Sequence, residues 1–180
     1  MKAAVLALAA LALAGCDTLA VRTTGEPTPL FRVEDPEYAG KDRDFRVVVL
    51  DDGATLGGHD GLQAAAIAGL QDNVRFATRF TAAPQTHNPD FKLVLIFNPA
   101  TNVKATDLCR EPPVAPRFAA AGADMHVQGV FCRLNDVLTE SEGYSSGIKS
   151  VGEPRFKALM SAFTRQLFPS RDLRLGEAPE

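Results

Sequence analysis

The run Phe91-Lys92-Leu93-Val94-Leu95-Ile96-Phe97 is apolar at six of seven consecutive positions. A strand turns alternate side chains to opposite faces, so a segment apolar on both faces needs cover on both, as a strand in the middle of a sheet has. The flanks agree, because Asp90 precedes the run and Asn98-Pro99 stops it. A chain built around such a strand must supply neighbours for its edges and helices for its surface.

Phe45-Arg46-Val47-Val48-Val49-Leu50 is a second β-branched run, ended by Asp51, Asp52 and Gly53. Behind a glycine-rich loop, Leu62, Ala66, Leu70 and Val74 recur every four residues, which predicts a helix of about fifteen residues. Asp60 with Gln63 three residues later predicts its capping box. Arg79-Phe80-Thr81-Ala82-Ala83-Pro84 suggests a short strand. The stretch from Met125 to Gly147 reads as a hairpin turning at Asn135 and Asp136. Pro154 suits the first position of a last helix, whose Phe156, Leu159, Met160, Phe163 and Leu167 share one face before Pro169. Pro99 to Gly122 is long for a connection in a compact domain, and such loops are functional or pinned.

The order strand, helix, strand, strand, hairpin, helix predicts an α+β fold: two layers, one mixed sheet of about five strands, two helices on one face. The order resembles small α/β domains of envelope lipoproteins and the N-terminal part of TolB-like periplasmic proteins. That likeness covers Phe45 to Phe168 and includes the segment from Pro89 to Leu95, but it carries no site residues.

The N-terminus reads differently. Lys2 is followed by an apolar run from Ala3 to Ala14, twelve residues long, too short to cross a hydrocarbon core of about 30 Å. Leu13-Ala14-Gly15-Cys16 resembles the lipobox of bacterial lipoprotein precursors. The resemblance implies a diacylglycerol thioether on Cys16, cleavage before it, acylation of the new amine, and lasting attachment to a membrane. It places the chain in a bacterial cell envelope, facing the periplasm. Asp17 resembles a residue that in some bacteria retains lipoproteins at the inner membrane, which leaves the choice of membrane open.

Residues 1–15 are thus expected to be a signal peptide, 16–44 the lipidated N-terminus and a flexible tether, and 45–180 the globular domain. The tether reading rests on the prolines, glycines and charges between Asp17 and Asp44, and a coil of that length separates its ends by about 30 Å. A short edge strand at Leu30, Phe31 and Val33 is the competing reading. Beyond Cys16, Cys109 and Cys132 make an even pair in an oxidising compartment, which points to a disulfide holding the long excursion to the hairpin. Free buried thiols or a reactive site are the alternatives.

Function is less legible. Lys and Arg number 19 against 22 for Asp and Glu, with no basic run of the kind phosphate backbones require, so nucleic acid is excluded as the expected partner. The eleven Phe, two Tyr and no Trp favour core over binding surface. The loop from Asp51 to Asp60 follows a strand and opens a helix, where α/β proteins place ligands. It lacks both the P-loop and G-x-G-x-x-G patterns, and no cofactor is implied. As a metal site it offers Asp51, Asp52, His59 and Asp60, joined by His87 and His126 only if the fold gathers them. A hydrolase would pair Ser141, Ser145 or Ser146 with a histidine, but no G-x-S-x-G elbow occurs. These serines are expected on the solvent side of the last strand. Arg155, Lys157, Arg165, Arg171 and Arg174 give the final helix and tail a basic tint, read as a solvated face, with anionic lipid head groups as a further possibility. The expected function is a membrane-anchored, non-catalytic binding or assembly module for an unidentified envelope protein. The alternative is a lipid-anchored hydrolase or metal-binding protein using the Asp51–Asp60 loop.

Overall fold

The computed structural model describes residues 21–54, 56–71, 73–100, 103–114, 117–119 and 124–170. Cys16 and the signal segment lie outside these, as do Arg171 and Arg174. Six strands, β1 (Val21–Pro27), β2 (Asp44–Leu50), β3 (Arg79–Thr81), β4 (Phe91–Phe97), β5 (Asp124–Arg133) and β6 (Asp136–Ser146), form one sheet in the order β1-β6-β5-β4-β2-β3. β2 runs parallel to both β3 and β4, and the other pairs are antiparallel. The fold is α+β with a single mixed sheet, as expected. Among the described residues it has one more strand than predicted and four helices in place of two: α1 (Asp35–Gly40), α2 (Gly58–Gln71), α3 (Ala105–Cys109) and α4 (Pro154–Leu167).

β4 is buried at all seven positions, because the sheet is covered on both faces there. Phe91, Leu93, Leu95 and Phe97 enter the main core with Leu62, Ala66 and Leu70 of α2 and the predicted stripe of α4. Val94 and Ile96 enter a smaller core with Leu108, Cys109, Val130 and Cys132. α3 and the segment around it form this second cover, so the expected two-layer arrangement gains a partial third layer. Lys92, the polar member of the strand, reaches out of it to the Arg110 carbonyl at 2.7 Å and Glu111 at 2.8 Å. All eleven phenylalanines pack into one of the two cores.

The hairpin and the proline start of α4 stand where the sequence placed them, while the turn falls one residue earlier, at Leu134 and Asn135, with Asp136 opening β6 against Arg133. A bulge at Phe131/Cys132 turns both Leu138 and Thr139 toward the main core. Close approach of α4 to the sheet depends on missing side chains: a Cβ on Gly129 would stand 2.5 Å from Phe163 Cζ, and one on Gly143 would stand 2.9 Å from Leu159 Cδ1.

The tether expectation needs correction. From Val21 onward the chain is folded: β1 pairs with β6 along its whole length, from Val21↔Ser145 to Pro27↔Thr139. Its burial alternates strictly. Pro27 and Gly25 suggested a linker, but an edge strand has one ladder to satisfy and tolerates both. The competing edge strand at Leu30, Phe31 and Val33 is also absent: Phe31 is buried in the main core in the turn that leads to α1. A second correction concerns α2, which begins at Gly58, so Asp60 sits in the first turn and is not its cap. Gly57 and Gly58, at φ +87° and +68°, turn the chain into the helix.

Candidate functional site

The outer face of the sheet, opposite α2 and α4, is covered only in part. The segment around α3 caps it as far as Gln128, which is buried and donates to the Val103 carbonyl at 3.2 Å. Beyond that point, among the described residues, the face is open and polar. Cross-strand register sets its side chains in rows. Arg22, Tyr144 and His126 stand side by side across β1, β6 and β5, followed by Thr24, Glu142 and Gln128, then by Glu26, Glu140 and Val130.

The first row is tightly arranged. The Tyr144 ring lies on the His126 ring, centroids 4.1 Å apart and planes 10° apart. Tyr144 is 40% exposed and donates its hydroxyl to Glu142 at 2.8 Å. Burial, then the Glu142 contact, push that hydroxyl from the ordinary 10 up to about 12. His126 Nε2 is buried and has no hydrogen-bond partner among the described residues; Glu142 stands 4.0 Å away. Burial holds the imidazole below its usual value against the opposing pull of Glu142. Glu140 is raised by burial first, then by Glu142 and Glu26. A cavity of 480 Å³ opens beside the first row, lined by Arg22, Thr24, Asp124, Tyr144, Ser145 and Ser146. Chemically, this face offers one aromatic surface, one guanidinium with no partner among the described residues, and three neighbouring carboxylates.

The Asp51–Asp60 loop folds in on itself. His59 Nδ1 meets Asp51 Oδ2 at 2.7 Å, with the Asp51 side chain fully buried and His59 half exposed. Asp51 also accepts from the Gly53 amide, and Asp52 from the Ala54 amide. These are the turn-closing bonds expected of Asp at a strand end. Asp60 is exposed. His87 precedes β4 and therefore lies at the other end of the sheet from His59. His126 shares the end with His59 but projects from the opposite face. Among the described residues no group of three metal-ligating side chains comes together.

The serines depart from expectation. Ser141 and Ser145 are buried on the helix side of β6, and only Ser146 is exposed. Gly143 lies between them on that side and lets α4 come close, which carries its neighbours inward. The Ser141 hydroxyl donates to the Thr24 carbonyl at 2.9 Å, and no hydrogen bond joins these serines to a histidine among the described residues. Arg155 donates to the Ser146 carbonyl at 3.3 Å, and Arg165 to Ser161 Oγ at 2.8 Å, while Lys157 is exposed on α4. Cys109 and Cys132 are bonded to each other, Cα to Cα 5.5 Å, and pin α3 to β5. Sequence reasoning missed the Arg22–Tyr144–His126 row. Its signal was the alternation in Val21–Pro27 and Glu140–Ser146, masked in the first by glycine and proline and in the second by serines.

No protein-family model matches the sequence, and no curated protein does. Among solved structures the chain is similar to a PelC dodecamer from Paraburkholderia phytofirmans, at 10% identity and TM-score 0.44, covering 84% of this chain and 99% of that one. A variant of the same protein gives 10% identity and TM-score 0.42 over the same shares. Similarity this slight transfers nothing to this chain.

Proposed function

We propose that the chain is a membrane-anchored lipoprotein of a bacterial envelope, and that its α+β domain is a non-catalytic binding or assembly module for a protein partner there. The open outer face of β1, β6 and the start of β5 carries this reading. Its exposed polar groups are ordered by register and by contacts such as Tyr144 to Glu142, so a partner would meet an organised surface at little entropic cost. The Leu13-Ala14-Gly15-Cys16 sequence supports the anchor. Anchoring two partners to one membrane raises their effective concentration, so the contacts at the face can be individually weak.

The test has two arms. Cys16→Ser should leave an unprocessed, unacylated chain that no longer fractionates with membranes. A photoreactive side chain at Glu142 should capture an envelope protein in intact cells, and one at Lys157 on the opposite side should not; equal capture at both, or none at Glu142, removes the face from the reading.

The Asp51–His59 contact favours a second reading, a metal-binding protein or hydrolase at this loop. One buried carboxylate and one half-exposed imidazole make a partial donor set. Stoichiometric zinc in the purified protein, lost in His59→Ala, would replace the first reading with this one.

A further inference from the structure

We infer that one end of the sheet, the end carrying Arg22, Tyr144 and the Gly147–Val151 loop, rests on the lipid head groups. The inference depends on the acylation of Cys16 proposed above and adds the orientation of the domain to it.

Covalent reach limits where the domain can stand. β1 begins at Val21, five residues after Cys16, so at most about 18 Å of chain lies between the acylated residue and the sheet. A tether of 28 residues would have let the domain stand clear of the bilayer and tumble. Five steps do not. The strands themselves are longer than this leash: β6 has eleven residues and spans about 37 Å at ~3.4 Å per residue. In an end-on pose the far end of the hairpin, at Leu134 and Asn135, therefore stands well away from the membrane while the near end is held to it.

Register identifies the near end. Val21 pairs with Ser145, and Asp124 with Ser146, so the start of β1, the end of β6 and the start of β5 lie together. The loop that follows β6 carries Lys149, exposed. Leu56 and Val151 pack against the main core, and Val151 Cγ2 lies 3.6 Å from where a Cβ on Gly57 would be, so the Asp51–Gly58 loop borders the same end.

Charge opposes a side-on pose on the open face. On the open face, Arg22 belongs to the row nearest the anchor, and the carboxylates follow it along the strands. Glu142 lies two residues from Tyr144, about 7 Å further away, while Glu140 and Glu26 are about 14 Å further. An anionic surface attracts Arg22 and Lys149 and repels the three carboxylates, so the open face does not lie flat on it; Asp52 and Asp60, exposed at the same end, turn it so that the first row and not their loop is nearest the lipid. A tyrosine that is 40% exposed, ring packed and hydroxyl bonded, suits the interfacial layer, where one edge of the ring is apolar and the other wet. The 480 Å³ cavity beside it gives the Arg22 guanidinium room to meet a lipid phosphate. Asp124 lines the same cavity and works against an anion there, so Arg22 carries the attraction.

The test uses the full acylated protein in vesicles of phosphatidylethanolamine with phosphatidylglycerol, carrying an energy-transfer acceptor on a fraction of the head groups. Ser150→Cys and Asn135→Cys each take one fluorophore, since Cys109 and Cys132 are bonded to each other. Transfer should be several-fold stronger from position 150 than from position 135, and Arg22→Glu with Lys149→Glu should narrow that contrast. In phosphatidylcholine alone the contrast should also narrow. Equal transfer from the two sites, or stronger transfer from 135, in a protein whose N-terminal mass shows acyl chains overturns the orientation alone. An N-terminus without acyl chains overturns the anchored reading and the orientation with it.

Discussion

Tyr144 and His126 stack face to face across the β5–β6 pair, and Glu142 is within hydrogen-bond reach of the Tyr144 hydroxyl at 2.8 Å and 4.0 Å from His126 Nε2. The carboxylate acts on both rings, in opposite senses relative to burial. It adds to burial in raising Tyr144 and opposes burial at His126. Glu142→Gln should therefore lower both: Tyr144 from about 12 toward its ordinary 10, and His126 further below its usual 6.5. Proton NMR titration of the two rings reads this directly, and an upward shift of either contradicts the arrangement. Because His126 in the fold is held below its unfolded value, its contribution to stability is present above about pH 6.5 and declines as the pH falls beneath it.

The Cys109–Cys132 bond closes a separation of 23 residues. In the chain-entropy model such a cross-link restricts the unfolded chain by about 3 kcal/mol. Replacing both cysteines with alanine should lower the unfolding free energy by that order, measured by denaturant titration without reductant. The loss should fall on the second core first, so hydrogen exchange around Leu108 and Val103 should accelerate more than exchange in α2. Uniform acceleration would mean that the bond supports the whole fold equally.

Most of the core was legible because it is periodic. β4 declared itself by being apolar on both faces, and α4 by a stripe with a proline in front, since burial leaves few other patterns. β1 was not legible, although its burial alternates, because Thr23 and Gly25 take the inward positions that an apolar residue would normally mark. A Cβ on Gly25 would lie 3.0 Å from the Gln166 carbonyl oxygen, so that position records the close approach of α4 and gives no hydropathy signal. Ser141 and Ser145 misled for the related reason that small polar groups can be buried when a backbone carbonyl or a glycine gap receives them. The outer row was hidden because strand pairing brings Arg22 beside Tyr144 from 122 residues away, and sequence contains no register.

Asp44 stands at the start of β2 with its carboxylate held by Arg79 Nε at 2.8 Å and by the amides of Gln85 at 2.6 Å and Thr86 at 3.3 Å. The Arg79 bond first, then the Gln85 amide, keep it well below the usual carboxylate range. A group lowered in the fold contributes stability above its unfolded value and loses it as the pH falls through the folded one. Unfolding free energy should thus decline below about pH 4, and Asp44→Asn should be less stable at neutral pH with a flatter profile in acid. An unchanged acid limb in Asp44→Asn would assign the decline to other carboxylates.

Gly129 sits opposite Ser141 on the helix side of β5, directly beneath Phe163. Its missing side chain is what lets the ring lie against the sheet, since an added Cβ would stand 2.5 Å from Phe163 Cζ and 2.9 Å from Leu95 Cδ2. Both neighbours are fully buried, so neither can swing away into solvent. Gly129→Ala should cost about 1–3 kcal/mol, the usual penalty for overfilling a packed core. The same change at Gly61, where nothing lies within 4 Å of the added carbon, meets no such obstacle and replaces a poor helix former, so it should be neutral or stabilising by up to about 1 kcal/mol. If shortening the ring in Phe163→Leu restores part of the stability lost in Gly129→Ala, the two positions share one space. If the two losses simply add, the glycine is required by the strand and not by the helix above it.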